Sequence, residues 1–212
     1  MSEKLSLKNA ERKVFRAASH DGLWDIIIAG FALEFAVAPL LSPALGDFWS
    51  SAVFVPFLGL LFLAAWLTRK YVVKPRTGVV KFGKQRIGRM KKFTLVMLIV
   101  NVLALILGTI VALYFHALSG QMVAIIFGLI LLIGFSLAGY FLDYIRLYVY
   151  GLLLGITPFV GEWLYSNYNA SHHGFPITFG FISGVIFLAG LITFIRFLHK
   201  NPVDTNTAVQ GS

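Results

Sequence analysis

Long apolar runs, separated by short polar segments, constrain this chain more than any other feature. About 20 helical residues at ~1.5 Å each cross the ~30 Å hydrocarbon core of a bilayer, and runs close to this length recur between residues 23 and 197. The composition agrees: 58% of the residues are hydrophobic and only 13% are charged, whereas about a quarter are charged in a soluble domain. The sequence therefore predicts an all-α integral membrane protein with one transmembrane domain.

The apolar runs predict six transmembrane helices, at residues 23–41, 48–67, 93–115, 122–141, 147–165 and 177–197. The boundary between the fourth and fifth is the least marked. Because residues 122–165 as one helix would be about 66 Å long, roughly twice the hydrocarbon thickness, we place a turn at Asp143–Arg146. The transmembrane domain then covers residues 21–200, and the polar residues 201–212 are predicted to form a disordered tail.

Basic residues are confined to alternate polar segments. Five of the 18 Lys and Arg residues precede the first predicted span, ten lie in residues 69–92, and the other three are Arg146, Arg196 and Lys200. The segments 42–51, 116–121 and 166–176 contain none. Because Lys and Arg are retained on the cytoplasmic side, we expect a multipass protein of the cell membrane with both termini in the cytoplasm.

Two basic segments are predicted to lie at the membrane surface. In residues 1–20, apolar residues recur at three- and four-residue spacing among basic ones, which is typical of an N-terminal amphipathic interfacial helix. In residues 69–92, here called the basic loop, β-branched and aromatic runs flank Pro75 and Gly78. This pattern favours a small cytoplasmic β-hairpin between the second and third transmembrane helices.

The basic loop is also the expected binding surface for anionic phospholipid headgroups, since each Lys or Arg near an anionic leaflet gains about 1 kcal/mol. A specific phosphate or protein-partner site there is the alternative. Nucleic acid is not expected, because the patch is short and the leaflet explains it. The candidate contact residues are Lys74, Arg76, Lys81, Lys84, Arg86 and Arg89.

Glu34 is the clearest candidate for a functional residue. It lies eleven residues into the first span, about 16 Å from the start of that span and therefore near the membrane midplane. A charge at this depth costs at least ~2.5–3.5 kcal/mol, and no Lys or Arg occurs at a comparable depth. Two interpretations stay open. Glu34 is protonated and hydrogen-bonded to Asn101 or Thr109 on the third span, or it faces a polar pathway where it binds a cation or relays a proton.

Glu162 is the second carboxylate to explain. It is either a solvated residue at the end of the fifth span or part of one acidic path with Glu34. The neighbouring His172 and His173 are only a weak signal for a metal site, and no His lies mid-span as a haem ligand would. The chain has no Cys, and no nucleophile with an adjacent base stands out. We therefore expect no cofactor and no bound metal, and an enzyme is the less favoured class.

Two stretches carry a family resemblance. DGLWDI at residues 21–26 and KPRTGVVKFGKQR at 74–86 are similar to DGL-x-D and PR-x-G-x-V-x-F stretches in a family of small, functionally uncharacterised prokaryotic multipass membrane proteins. The resemblance covers about a tenth of the chain and implies no activity. It implies that the Asp21–Asp25 segment and the Pro75–Phe82 hairpin form one structural feature, which we predict to be joined by an Asp25–Arg76 pair.

Small residues on the last three spans predict close helix packing. Contacts within one chain are the expected use, and a homo-oligomer is the alternative. The residues concerned are Gly134, Ala138, Gly139, Gly151, Gly155, Gly180 and Gly184.

Two functions from different classes fit the sequence. The favoured one is a transporter or channel for a cation or small solute, with Glu34, Asn101 and Glu162 as the ion-binding candidates. The other is a non-catalytic membrane scaffold or regulatory subunit whose basic loop binds anionic lipid or a protein partner.

Overall fold

The computed structural model describes residues 21–77, 84–114 and 118–202. All regular secondary structure in these ranges is helical. The α-helices are α1 Leu23–Leu45, α2 Asp47–Ala52, α3 Phe54–Thr68, α4 Lys74–Thr77, α5 Lys84–Leu113, α6 Gly120–Leu142, α7 Arg146–Tyr168 and α8 Phe175–Lys200. A π-helix at Arg69–Val73 joins α3 to α4, and a 3-10 helix at Ser171–Gly174 precedes α8.

Six segments of the described ranges are long and apolar enough to cross a membrane: Leu23–Leu45, Phe48–Arg76, Gly88–Val111, Gly120–Leu142, Arg146–Tyr168 and Ser171–Lys200. They confirm the prediction of six helices long and apolar enough to span a membrane, and they are compatible with a multipass membrane protein. The predicted turn between the fourth and fifth spans is also confirmed. There α6 ends at Leu142 and Asp143 adopts the left-handed conformation (φ 54°) before α7 begins at Arg146.

The predicted β-hairpin in the basic loop is wrong for the residues that can be described. Its expected first strand, Tyr71–Lys74, lies in the π-helix and the start of α4, and the described ranges contain no strand. Tertiary packing explains the difference, because Val73 is buried against Leu23 and Phe197 only if the helix of the second span continues to this point. The second expected strand, within 78–82, lies outside the described residues, as do the interfacial helix at 1–20 and residues 203–212 of the tail.

Four helices form the core of the bundle. Helix α1 packs along α8, α6 packs along α7, and α7 joins the two pairs through α8. Buried residues of these helices, such as Ala32, Leu154 and Phe179, make the main apolar cluster. Helix α3 packs on α1 and α5 packs on α6, so these two spans lie at the periphery.

The chain direction brings the described basic residues together. Helices α1, α5 and α7 begin, and α4, α6 and α8 end, at one end of the bundle, here called the basic end. Every described Lys and Arg lies in a helix turn at this end. The opposite end, here called the far end, contains the end of α1, helix α2, the end of α7 and the 3-10 helix.

Candidate functional site: a polar cleft at the far end

A polar cleft with a volume of about 430 Å³ lies in the far half of the bundle, where α2 and the 3-10 helix meet the second half of α1. Its lining combines one carboxylate, three hydroxyl groups and two imidazoles with a few apolar side chains. The lining residues are Glu34, Phe35, Ala38, Pro39, Ser42, Ser50, Ser51, His172, His173 and Phe175.

Helix α1 places Glu34 at the inner end of this cleft. Glu34 lies at the centre of α1, eleven residues from either helix end, and its side chain is half-buried. Because residues four apart share one helix face, Ala38 and Ser42 continue the lining from Glu34 toward the far end. Among the described residues, Glu34 has no hydrogen-bond or ion-pair partner.

Two prolines modify α1 beside the cleft. Pro39 and Pro43 lie inside the helix and have no N–H, so the carbonyl groups of Phe35 and Pro39 lack the donor that normally follows four residues later. Both Phe35 and Pro39 line the cleft. Carbonyl oxygens released from a helix in this way are common ligands of cations in transporters.

The structure separates Glu34 from its proposed hydrogen-bond partners on the third span. Asn101 donates to the carbonyl of Met97, and Thr109 donates to the carbonyl of Leu105, each at 2.8 Å and within α5. A polar side chain on an exposed transmembrane face is satisfied in this way by the preceding helix turn. Among the described residues no hydrogen bond joins α5 to Glu34, and Asn101 lines a different, mostly apolar cavity.

One interpretation of the sequence is that Glu162 is solvated at the end of its span. The structure shows that it is not. The residue is only 7% exposed, and its Oε2 lies 2.8 Å from Nδ1 of His173. Its carboxylate also lies against the first residue of α6, since a Cβ atom built on Gly120 would be 2.0 Å from Oε1. The His173 ring packs on Tyr165, with 4.4 Å between the ring centroids.

His173 belongs both to the lining of the cleft that contains Glu34 and to the pair with Glu162. Both His172 and His173 have positive φ, 51° and 54°, a conformation that is uncommon for residues other than glycine and that concentrates at functional sites. No group of three or more metal-ligating side chains converges in the part of the chain that the structure describes.

At the basic end, three aspartates each pair with an arginine. The three ion pairs, with their N···O distances, are Asp21–Arg69 at 2.7 Å, Asp25–Arg146 at 2.7 Å and Asp143–Arg89 at 2.9 Å. Burial raises the pKa of the Asp21 carboxyl above its usual range, and the charge and hydrogen bonds of Arg69 oppose this shift.

The predicted Asp25–Arg76 pair is wrong. Arg76 donates from Nη1 to the carbonyls of Leu198 and Asn201, both at 3.1 Å, and so satisfies the C-terminal end of α8. Asp25 instead faces α7 and α8, because the close approach of Gly22 and Gly190 brings α1 against α8 at this point.

The candidate headgroup ligands of the basic loop have different environments. Arg76 and Arg89 bind groups of the protein itself: Arg89 contacts the carbonyl of Tyr140 as well as Asp143. Lys74 is exposed. Lys84 and Arg86 belong to the first turn of α5, and Lys81 lies outside the described residues.

The hydroxyl groups of the cleft are functional candidates that the sequence pattern did not single out. The sequence does contain one signal for them: Ser42 follows Glu34 by eight residues, so both side chains lie on the same face of α1. Ser50 and Ser51 fall within the predicted second span, 48–67, where nothing in the sequence marks them, and the structure places them in the short helix α2.

The chain matches no protein-family model, and no curated protein or solved structure is significantly similar to it. The resemblance to a prokaryotic multipass family therefore stays a prediction, and the geometry of the cleft is the basis for a function.

Proposed function

We propose that the protein is a transporter or channel whose far-end cleft binds a cation or a small cationic solute at Glu34. The observation that supports this most is the polar cleft of about 430 Å³, which reaches a carboxylate at the centre of a membrane span. A carboxylate at such a depth needs a proton, a cationic partner or water. The cleft provides room for water or a cation next to Glu34.

The other groups of the cleft support a cation rather than an anion. Serine hydroxyls from α1 and α2 line it, as do the two residues whose carbonyls lack their helical donor, Phe35 and Pro39. Neutral oxygen atoms around one carboxylate are a suitable set of ligands for a hard cation or for a protonated amine. Among the described residues, no Lys or Arg lines the cleft.

The proposed direction of access follows from the charge distribution. Because Lys and Arg are retained in the cytoplasm, we place the basic end and both termini there, in the cell membrane. The cleft then opens on the non-cytoplasmic side. Its lining extends from Glu34 only toward the far end, which favours a transporter in an outward-facing state over an open channel.

The test compares ion flux into proteoliposomes containing the wild type or Glu34→Gln, with radioactive sodium, rubidium and methylammonium as probes and a trapped dye for protons. We expect protein-dependent flux of at least one probe in the wild type and its loss in Glu34→Gln. Glu34→Asp, which keeps the charge, should retain part of the flux. Asn101→Ala is the matched control, because Asn101 lies in the other cavity.

The same variants separate this function from the scaffold alternative. Protein-dependent flux that is unchanged in Glu34→Gln, or no flux of any probe in the wild type, would reject the transport proposal. A scaffold would instead lose its function when the charges of the basic loop are reversed, while Glu34→Gln has no effect.

A further inference from the structure

A second cavity, also about 430 Å³, lies in the basic half of the bundle between α1, α3, α5 and α6. Its lining is almost entirely apolar and includes Trp24, Phe31, Phe62 and Phe135. The amide of Asn101 is its main polar group and already donates to the carbonyl of Met97. The cavity therefore suits an apolar ligand and is chemically distinct from the cleft at Glu34.

We infer that this cavity binds an acyl chain of an anionic phospholipid from the leaflet at the basic end, with the headgroup near Arg69. This site is independent of the proposed transport function.

The position and depth of the cavity fit a lipid chain. It lies between α3 and α5, the two peripheral spans, which pack on α1 and α6 respectively. Along α1 its lining runs from Trp24 to Phe35, which are eleven positions apart, or about 16 Å. This is close to half of the ~30 Å hydrocarbon thickness, the depth that a chain from one leaflet reaches.

The entrance of the cavity at the basic end carries positive charge. The Arg69 guanidinium lies 5.6 Å from the ring centroid of Trp24, a lining residue. Arg69 uses Nε and Nη2 to bind Asp21, which leaves Nη1 without a hydrogen bond among the described residues, and the side chain is 33% exposed. A guanidinium has five N–H donors, so Nη1 can donate to a phosphate. On the α6 side, the Arg89 guanidinium lies 5.4 Å from the Tyr140 ring.

Exposed lysines add the net charge that selects an anionic headgroup. Arg69 and Arg89 are each compensated by an aspartate. Lys70 follows Arg69 in the chain, and Lys91 and Lys92 follow Arg89. These three lysines are exposed and have no acidic partner among the described residues. The apolar cavity and the cations at the basic end together match the two parts of an anionic phospholipid.

The test measures lipid retained by the purified full-length chain in native mass spectrometry, after reconstitution with equal amounts of phosphatidylglycerol and phosphatidylcholine that have identical acyl chains. We expect the wild type to retain phosphatidylglycerol preferentially. Gly134→Leu should abolish retention, because Gly134 lines the cavity and a Cβ atom there meets no atom within 4 Å. Gly108→Leu, equally open but outside the cavity, is the matched control.

A second variant separates the headgroup from the chain. Lys70→Gln, Lys91→Gln and Lys92→Gln combined should leave chain retention intact but reduce the preference for phosphatidylglycerol by up to about fivefold per lysine, as expected for ~1 kcal/mol each. If Gly134→Leu fails to fold, Ala104→Leu fills the same cavity.

Three outcomes would overturn the inference. Retention of phosphatidylglycerol by both cavity-filling variants at the wild-type level would show that no lipid chain occupies the cavity. Equal retention of both lipids by the wild type would remove the anionic selectivity. A loss of dimer mass instead of lipid mass in Gly134→Leu would identify the occupant as a second copy of the chain.

Discussion

The buried carboxylate of Asp25 lies 2.7 Å from Nη1 of Arg146, and this ion pair joins the first turn of α1 to the first turn of α7. Tyr144 donates its hydroxyl to the other oxygen of Asp25 at 2.5 Å, and Arg146 also donates to Oγ1 of Thr193 on α8 at 2.8 Å. Burial and the neighbouring Asp25 raise the pKa of Tyr144 far above its usual range, so its hydroxyl remains a donor. The cluster therefore fixes three core helices at the basic end.

Asp25→Asn and Arg146→Gln should each destabilise the protein strongly. Removing one partner of a buried ion pair costs ~3–5 kcal/mol, and we expect the lower end because the Arg146 side chain is 35% exposed. A double-mutant cycle, read from unfolding free energies in mild detergent, should show coupling between Asp25 and Arg146. The cycle of Asp25 with Arg76 should be additive, and the reverse pattern would contradict the observed pairing.

The spans could be predicted because each depends on local hydrophobicity, but the ion pairs could not. Ten cations lie in the basic loop, and their spacing does not indicate which one faces a given aspartate. The choice depends on backbone packing: a Cβ atom on Gly22 would lie 2.4 Å from the Gly190 carbonyl, and this contact directs Asp25 toward Arg146. The hairpin prediction failed for a related reason, since β-branched residues continue a helix when it buries Val73.

Part of the candidate site could also be predicted. Glu34 stands out in the sequence because a lone carboxylate mid-span is costly. The cleft around it could not be foreseen, since it forms only where α2 and the 3-10 helix meet α1. The pairing of Glu162 with His173 likewise requires the positive-φ turn at the histidines.

The stability contributed by Asp21 should depend on pH. Because burial raises its pKa in the folded chain, the folded protein holds this proton more tightly than the unfolded one. The contribution is therefore fully present below the ordinary carboxyl pKa of about 4 and is lost as the pH rises through the raised value. As the pH rises from about 4 through the raised pKa, the unfolding free energy of the wild type should therefore fall relative to that of Asp21→Asn. A difference that increases with pH would mean that Arg69 outweighs burial.

Gly128→Ala should disrupt the packing of α6 on α7. A Cβ atom on Gly128 would lie 2.1 Å from the carbonyl oxygen of Gly155, and backbone cannot move as a flexible side chain can, so we expect a loss of ~1–3 kcal/mol. Gly184→Ala, where a Cβ atom meets nothing within 4 Å, is the control and should leave the unfolding free energy unchanged or raise it by up to ~1 kcal/mol, the helix preference of Ala over Gly. Equal stability of the two variants would reject this close contact.

Gly120→Ala should break the pair between Glu162 and His173 without altering either residue. The added methyl group would lie 2.0 Å from Oε1 of Glu162, so the carboxylate must move from its position 2.8 Å from Nδ1 of His173. In a His172→Gln background, the ring-nitrogen NMR signals of His173 should shift in Gly120→Ala as they do in Glu162→Gln, while the unfolding free energy should fall less than in Gly128→Ala, because the displaced atoms are the end of a flexible side chain. Gly108→Ala, with open space around its Cβ position, should not move these signals. Unchanged His173 signals in Gly120→Ala would show that the glycine does not hold the carboxylate on the histidine, and the connection between Glu162 and the cleft would have to be abandoned.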